Sequence, residues 1–201
     1  MKDHYSFISP VYNTLAKLVF GSQLKLSKTC FLEGLSAKKI LIIGGGDGLD
    51  YKAFQKQLQG EYWELSQSML SLAKSNLKDS RLCFHLGVYH LRPEIRFDEI
   101  WLHFVLDTLS DEEIDALLVL CKKSLNQNGR IYLADFFEPK TGYQRFVSKA
   151  MIQFFRIVTA HKREDIPNYE QFFQRNGLKK TSEKLFMKGW VKAQIWIPGS
   201  F

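Results

Sequence analysis

Cysteine is scarce and unpaired. The 201 residues contain only three, and Cys30, Cys83 and Cys121 stand too far apart for a disulfide framework or a Cys-x-x-Cys metal site. A reducing, cytoplasmic setting is therefore expected. Long apolar runs are also missing: no stretch reaches the ~18 uninterrupted residues of a membrane span. The nearest approach, residues 146–160, is broken by Lys149 and Arg156. MKDHYSFISP has no apolar core of the signal-peptide kind. The chain shows no fixed-period repeat, low-complexity linker, His/Asp/Glu cluster with ligand spacing or Gly-x-Ser-x-Gly elbow. Those absences speak against a solenoid, a resident metal and a serine hydrolase.

A hydrophobic content of 45% suits one ordinary globular domain. Charge is divided unevenly along it. Residues 1–36 carry four basic and two acidic side chains, residues 37–140 carry 13 and 15, and residues 141–201 carry 11 and four. The net +7 thus equals the excess of the last stretch. The pattern marks three parts of a single domain: N-terminal cap helices (1–36), a core (37–140), then lid helices and a terminal hairpin (141–201).

Strand and helix signals alternate through the core. KKILIIGGGDG is an Ile/Leu run ending in glycines, the pattern of a buried parallel strand and a tight turn. LDYKAFQKQL then reads as a helix and EYWEL as a second strand. SQSMLSLAKSNL reads as a helix with Ser66 as N-cap. RLCFHLG and FDEIWLHF are the third and fourth strands. SDEEIDALLVLCKKSL has Ser110 as N-cap, acids in its first turn and Lys122 and Lys123 in its last, suiting the helix dipole. Asn128-Gly129 predicts a turn into a fifth strand, RIYLADF. Five alternations imply a three-layer parallel sheet with right-handed crossovers. Beyond Pro139 the pattern predicts helices over 143–160 and 168–176, the latter stopped by Gly177. LKKTSEKLFM and WVKAQIWI follow, joined so tightly at Lys188-Gly189 that they must be antiparallel. The expected fold is an α/β, Rossmann-like three-layer sandwich with a seven-stranded, mostly parallel sheet, a C-terminal antiparallel hairpin and an N-terminal helical lid.

The Gly44–Gly48 loop follows a strand and opens a helix, where backbone can approach a ligand closely. Glu64 ends the second strand, placed to accept both hydroxyls of a ribose. Loop and acid together describe a nucleoside site. The glycine spacing is G-x-G-x-G, and Leu49 stands where the dinucleotide fingerprint needs a small residue, which disfavours a nicotinamide cofactor.

These motifs resemble class I S-adenosylmethionine-dependent methyltransferases, and among them the ubiquinone/menaquinone biosynthesis C-methyltransferases. HYSFISPVYNTLAKLVFG is similar to the family's entry helix. ILIIGGGDG, ELSQSML, FDEIWLHFVLDTLSDEE and LNQNGRIYLADF are similar to its strand-end motifs. The resemblance implies S-adenosyl-L-methionine as cofactor, with Gly44, Gly46 and Gly48 beneath its methionine part and Glu64 on its ribose. It also implies Leu65, Met69, Gly87 and Val88 around the adenine, and His103 and Phe104 beside the sulfonium. Tyr5, Tyr12, Asp107 and His161 fall where the family places its lid, as candidates for the acceptor side. No general base stands out. Three positions depart from the family pattern: Ile42 replaces an acid, Gly87-Val88 replaces an Asp, and Tyr12-Asn13 replaces Tyr-Asp. A non-catalytic relative that only binds the cofactor is the alternative.

In residues 143–160, Tyr143, Phe146, Val147, Ala150, Met151, Phe154, Ile157 and Val158 form an apolar stripe at helical spacing. Gln144, Arg145, Ser148, Lys149, Gln153 and Arg156 occupy the other side. This predicts a helix whose apolar face closes over a pocket for a small, apolar acceptor, and which also suits peripheral contact with anionic lipid. Aromatics and cations lie on opposite sides, which argues against nucleic acid. The oligomeric state is not legible.

Overall fold

The structure, a computed structural model, describes residues 20–32, 35, 38–159 and 165–199, with the backbone alone described over 151–159. Its strands are β1 (Lys39–Ile43), β2 (Gln59–Glu64), β3 (Arg81–Leu86), β4 (Phe97–His103), β5 (Leu125–Phe136), β6 (Leu178–Phe186) and β7 (Val191–Pro198). Its α-helices are α1 (Gln23–Thr29), α2 (Gln67–Asn76), α3 (Asp111–Ser124), α4 (Gly142–Thr159) and α5 (Tyr169–Arg175). The seven strands form one sheet in the order β3-β2-β1-β4-β5-β7-β6. The first five are parallel, whereas β7 runs antiparallel to both β5 and β6. The expected mostly parallel sheet with a terminal hairpin is therefore present.

Apolar packing on both sheet faces explains why β1 is Ile/Leu after Lys39. Leu41 and Ile43 enter one core cluster with Ile100, Leu102 and Leu133. Ile40 and Ile42 enter the other with Tyr51, Tyr62 and Trp101. Burying a side chain of this size contributes about 1.5–3 kcal/mol. Two buried carboxylates are satisfied by an indole two positions along the same strand: Trp63 Nε1 donates to Glu61 and Trp101 Nε1 to Glu99, at 2.9 and 3.1 Å. Trp196 Nε1 donates in the same way to Gln194, at 3.0 Å.

The helix starts follow their caps. Ser66 Oγ accepts from the Met69 NH at 3.3 Å. Ser110 and Glu113 form a reciprocal capping box, in which the Ser110 NH reaches Glu113 Oε2 at 2.8 Å. Gly177, with φ +71°, ends α5 as expected.

Three local expectations need correction. Residues 49–57, read as an ordinary helix, form a 3₁₀ helix of nine residues, well beyond the three or four usual for that geometry. The turn expected at Asn128-Gly129 lies within β5. The ladder pairs Phe97 with Leu125 and next Glu99 with Arg130, so residues 126–129 bulge from it. Over its first nine residues, helix α4 also docks with part of its predicted polar side inward, beside Val147. Gln144 and Ser148 are buried, while Tyr143 and Phe146 are 61% and 74% exposed. The reason lies far along the chain, in the hairpin. Gln144 Nε2 donates to the Met187 carbonyl at 2.9 Å, and Trp190 Nε1 donates to Ser148 Oγ at 3.1 Å.

Candidate functional site

The carboxyl ends of β3, β2, β1 and β4 bring the predicted nucleoside residues onto one edge of the sheet. Backbone bonds stitch them together. The Gly44 NH donates to Trp63 O at 2.8 Å, Gly87 NH to Glu64 O at 3.0 Å, and Phe104 NH to Ala134 O at 2.7 Å. Glu64 is tied directly to the glycine loop: its Oε2 accepts from the Gly46 NH and its Oε1 from the Ser66 NH, both at 2.9 Å. These two bonds, one to each carboxylate oxygen, fix the group's orientation.

The loop glycines are not equivalent. A Cβ on Gly45 would lie 2.4 Å from the Tyr62 hydroxyl, and one on Gly48 2.8 Å from Leu77. One on Gly44 would meet Val105 at 2.7 Å. Those three are closed off by the protein itself. Gly46, with φ +67°, faces open space, and so does Gly87. Beside them Leu65 and Val88 are 58% and 73% exposed, and Met69 is half-buried. An open glycine surface, an oriented carboxylate and two exposed aliphatic side chains fit a nucleoside-bearing cofactor. Tyr62 OH donates to Gly46 O at 2.9 Å and supports the loop from below.

His103 ends β4 in the interior. Its Nδ1 and the Tyr51 hydroxyl are 2.8 Å apart. Burial, helped by the nearby Lys28 ammonium, lowers the His103 pKa from 6.5 to about 3, so the ring is neutral at ordinary pH. Burial likewise pushes the Tyr51 hydroxyl well above 10. Phe104 follows in the left-handed region, φ +55°, a strained conformation for a bulky residue. Its ring packs against Phe136 at 5.2 Å, in an aromatic cluster with Phe20 and Trp190. Lys28 lies 5.5 Å over that ring and pairs with Asp50 at 2.9 Å.

Asp107 lies in the 3₁₀ turn after β4 (Leu106–Thr108). Across from it is Asp135, near the end of β5 and fully buried, with Oδ1 accepting from the Phe136 NH at 2.8 Å. Burial and then the Asp107 charge push the Asp135 carboxyl well above the usual carboxylate range. The other acceptor-side candidates, Tyr5, Tyr12 and His161, lie outside the described residues. Ile42, the residue replacing the family's acid, is 1% exposed and packs in the core.

Sequence reasoning passed over Tyr51, Tyr62 and Asp135. A lone carboxylate inside the apolar run IYLADFF signals a special environment. Tyr51 and Tyr62 carry no comparable signal, because their partners lie 52 and 16 positions away. Among the described residues no group of His, Cys, Asp and Glu is arranged to hold a metal ion, and no helix is long and apolar enough to cross a membrane.

This architecture is shared with S-adenosylmethionine-dependent methyltransferases. No family model matches the chain, and no curated protein does. Solved structures do match. A putative methyltransferase in complex with the Trm112 methyltransferase activator, from Haloferax volcanii, superposes with a TM-score of 0.74 over 100% of both chains at 11% identity. A TehB-like S-adenosylmethionine-dependent methyltransferase from Corynebacterium glutamicum gives 0.64 at 14% identity, covering 97% of this chain and 98% of that one. CalO1, a methyltransferase in calicheamicin biosynthesis in its SAH-bound form, gives 0.66 at 17% identity over 95% of this chain, which spans 57% of CalO1. Superposition at identities this low shows a shared fold alone.

Proposed function

We propose that the chain is an S-adenosyl-L-methionine-dependent methyltransferase acting on a small, apolar acceptor. The observation that carries the reading is the open face of Gly46 beside Glu64, whose carboxylate the loop itself holds in place. In this reading the Gly44–Gly48 turn passes beneath the methionine part, with Gly46 as the closest backbone. Glu64 accepts the ribose hydroxyls. Leu65, Met69, Gly87 and Val88 surround the adenine, and His103 and Phe104 border the methyl-bearing end. S-adenosylmethionine supplies a methyl group on a sulfonium, open to in-line displacement.

The protein's task is then to align the acceptor and exclude water. Phe104, partly exposed and backed by the buried Phe20, Phe136 and Trp190, offers apolar surface suited to an apolar acceptor. A neutral His103 suits the neighbourhood of a cationic cofactor, which an imidazolium would repel. Whether the acceptor belongs with quinone precursors, as the C-methyltransferase resemblance implies, is a finer form of the same proposal.

A second reading, a protein that binds the cofactor without transferring its methyl, is favoured by Ile42. The experiment that decides incubates the full chain with methyl-radiolabelled S-adenosylmethionine and fractions of quinone, lipid and small-molecule extracts. Label in an extractable apolar product supports the methyltransferase. Saturable binding with no label in any fraction supports the second reading, and absence of binding at millimolar cofactor overturns both.

A further inference from the structure

Over its first nine residues, helix α4 presents its aromatic side chains outward. Its buried side is polar: Gln144 reaches Met187 O, and also accepts from the backbone NH groups of Lys140 and Thr141 at 2.8 and 3.2 Å. Ser148 accepts from Trp190. Hydrogen bonds to the hairpin hold this helix, with Val147 alone among the first nine residues packing on the aromatic cluster. Tyr143 and Phe146 are left as two of the most exposed large apolar side chains in the described protein, with the exposed Ala150 beside them at helical spacing. The sequence continues that spacing with Phe154 and Ile157.

Cations frame these aromatics. Arg145 and Lys149 are exposed on the adjoining side of the same helix. Lys140, just before it, has its Nζ beside Gly189 of the hairpin turn, next to the exposed Lys188. Glu138 is the acid in the segment that leads into them. Over its 18 residues the helix is roughly 27 Å long. An apolar stripe beside a basic stripe on a single convex helix matches a flat anionic surface better than a groove, because aromatic side chains insert among acyl chains while cations meet headgroup phosphates.

We propose that the exposed face of α4, with Tyr143 and Phe146 as inserting side chains and Lys140, Arg145, Lys149 and Lys188 as the electrostatic frame, docks the protein on an anionic lipid bilayer. This inference stands apart from methyl transfer, since the face lies on the outside of the helix and needs no cofactor.

The test is co-sedimentation of the full chain with vesicles of equimolar phosphatidylglycerol and phosphatidylcholine, against vesicles of phosphatidylcholine alone. The protein is expected to pellet with the anionic vesicles and to be released by high salt. Lys149→Ala and Arg145→Ala should each weaken partitioning roughly fivefold, and Phe146→Ser roughly tenfold. Because Phe146 is exposed, Phe146→Ser should leave Tm unchanged. Failure of the wild-type chain to pellet overturns the proposal, as does pelleting that is indifferent to Phe146 and Lys149. So does a large fall in Tm for Phe146→Ser, which would show the ring to be buried in solution. A light-scattering dimer that Phe146→Ser dissociates would assign the face to a second copy instead.

Discussion

Tyr51 and His103 share a buried hydrogen bond, 2.8 Å from hydroxyl to Nδ1, at the point where the glycine-loop segment meets the end of β4. The rings are also in contact, with centroids 5.9 Å apart, and Trp101 packs on both, stacked on His103 at 5.7 Å and 5.4 Å from Tyr51. Burial, and then the Lys28 ammonium, keep the imidazole neutral, a condition with a measurable consequence. Between pH 6.5 and about 3 the unfolded chain binds a proton at this position that the native chain refuses. Stability must therefore fall with pH across that window, by about 1.4 kcal/mol per unit from this group. Urea unfolding at stepped pH should show His103→Gln losing that part of the acid limb, measured as a shallower slope than wild type below pH 6.

Asp135 carries the opposite sign. Its buried carboxyl is pushed well above the usual range, first by burial and then by Asp107. The native state thus retains a proton that the unfolded chain has released, so this group's stabilisation is present in acid and is lost as pH rises through the native pKa. Asp135→Asn keeps the Oδ1 that accepts from Phe136 and removes the titration. It should raise stability near neutral pH by roughly 1 kcal/mol or more. Thermal unfolding between pH 4 and 8 checks it, and a variant that loses stability at pH 8 would speak against a carboxyl held protonated.

The two adjacent loop glycines should separate stability from binding. Gly46→Ala meets no atom within 4 Å but keeps φ +67°, a left-handed strain of about 1–2 kcal/mol. Gly45→Ala drives a methyl to 2.4 Å from the buried Tyr62 hydroxyl, and overpacking of this kind costs about 1–3 kcal/mol. In paired measurements of Tm and S-adenosylmethionine affinity, Gly46→Ala should fold and fail to bind, losing at least about tenfold in affinity. Gly45→Ala should appear chiefly as a fall in Tm.

Much of the fold is legible because its signals are local. The Ile/Leu run of β1, the caps at Ser66 and Ser110, and the tight Lys188-Gly189 connection each specify their own element. The glycine loop and Glu64 are legible for the same reason, since a strand-loop-helix context frames them. What was not legible depends on partners distant in sequence. The orientation of the first nine residues of α4 is set by hairpin groups about 42 positions away, which bury two polar side chains that its amphipathic pattern places outside. The unequal packing of the loop glycines depends on Tyr62, Leu77 and Val105. The His103 environment depends on Tyr51 and Lys28. Spacing alone carries none of these.

Glu64 is the side chain on which a nucleoside site most depends, because the Gly46 and Ser66 NH groups hold its carboxylate in one orientation. Glu64→Gln keeps the size of the side chain but removes the charge and one acceptor atom. Loss of charge-assisted hydrogen bonds to the ribose should weaken binding by roughly tenfold to a hundredfold, with the overall fold intact by circular dichroism.

Calorimetric titration of the wild-type chain with S-adenosyl-L-methionine reads the glycine loop and Glu64 as a binding site. The predicted result is a single saturable site per chain, weakened in Glu64→Gln and lost in Gly46→Ala, with no comparable binding of NAD. Absence of saturable binding at millimolar S-adenosylmethionine, or equal affinity in wild type and both variants, would contradict it.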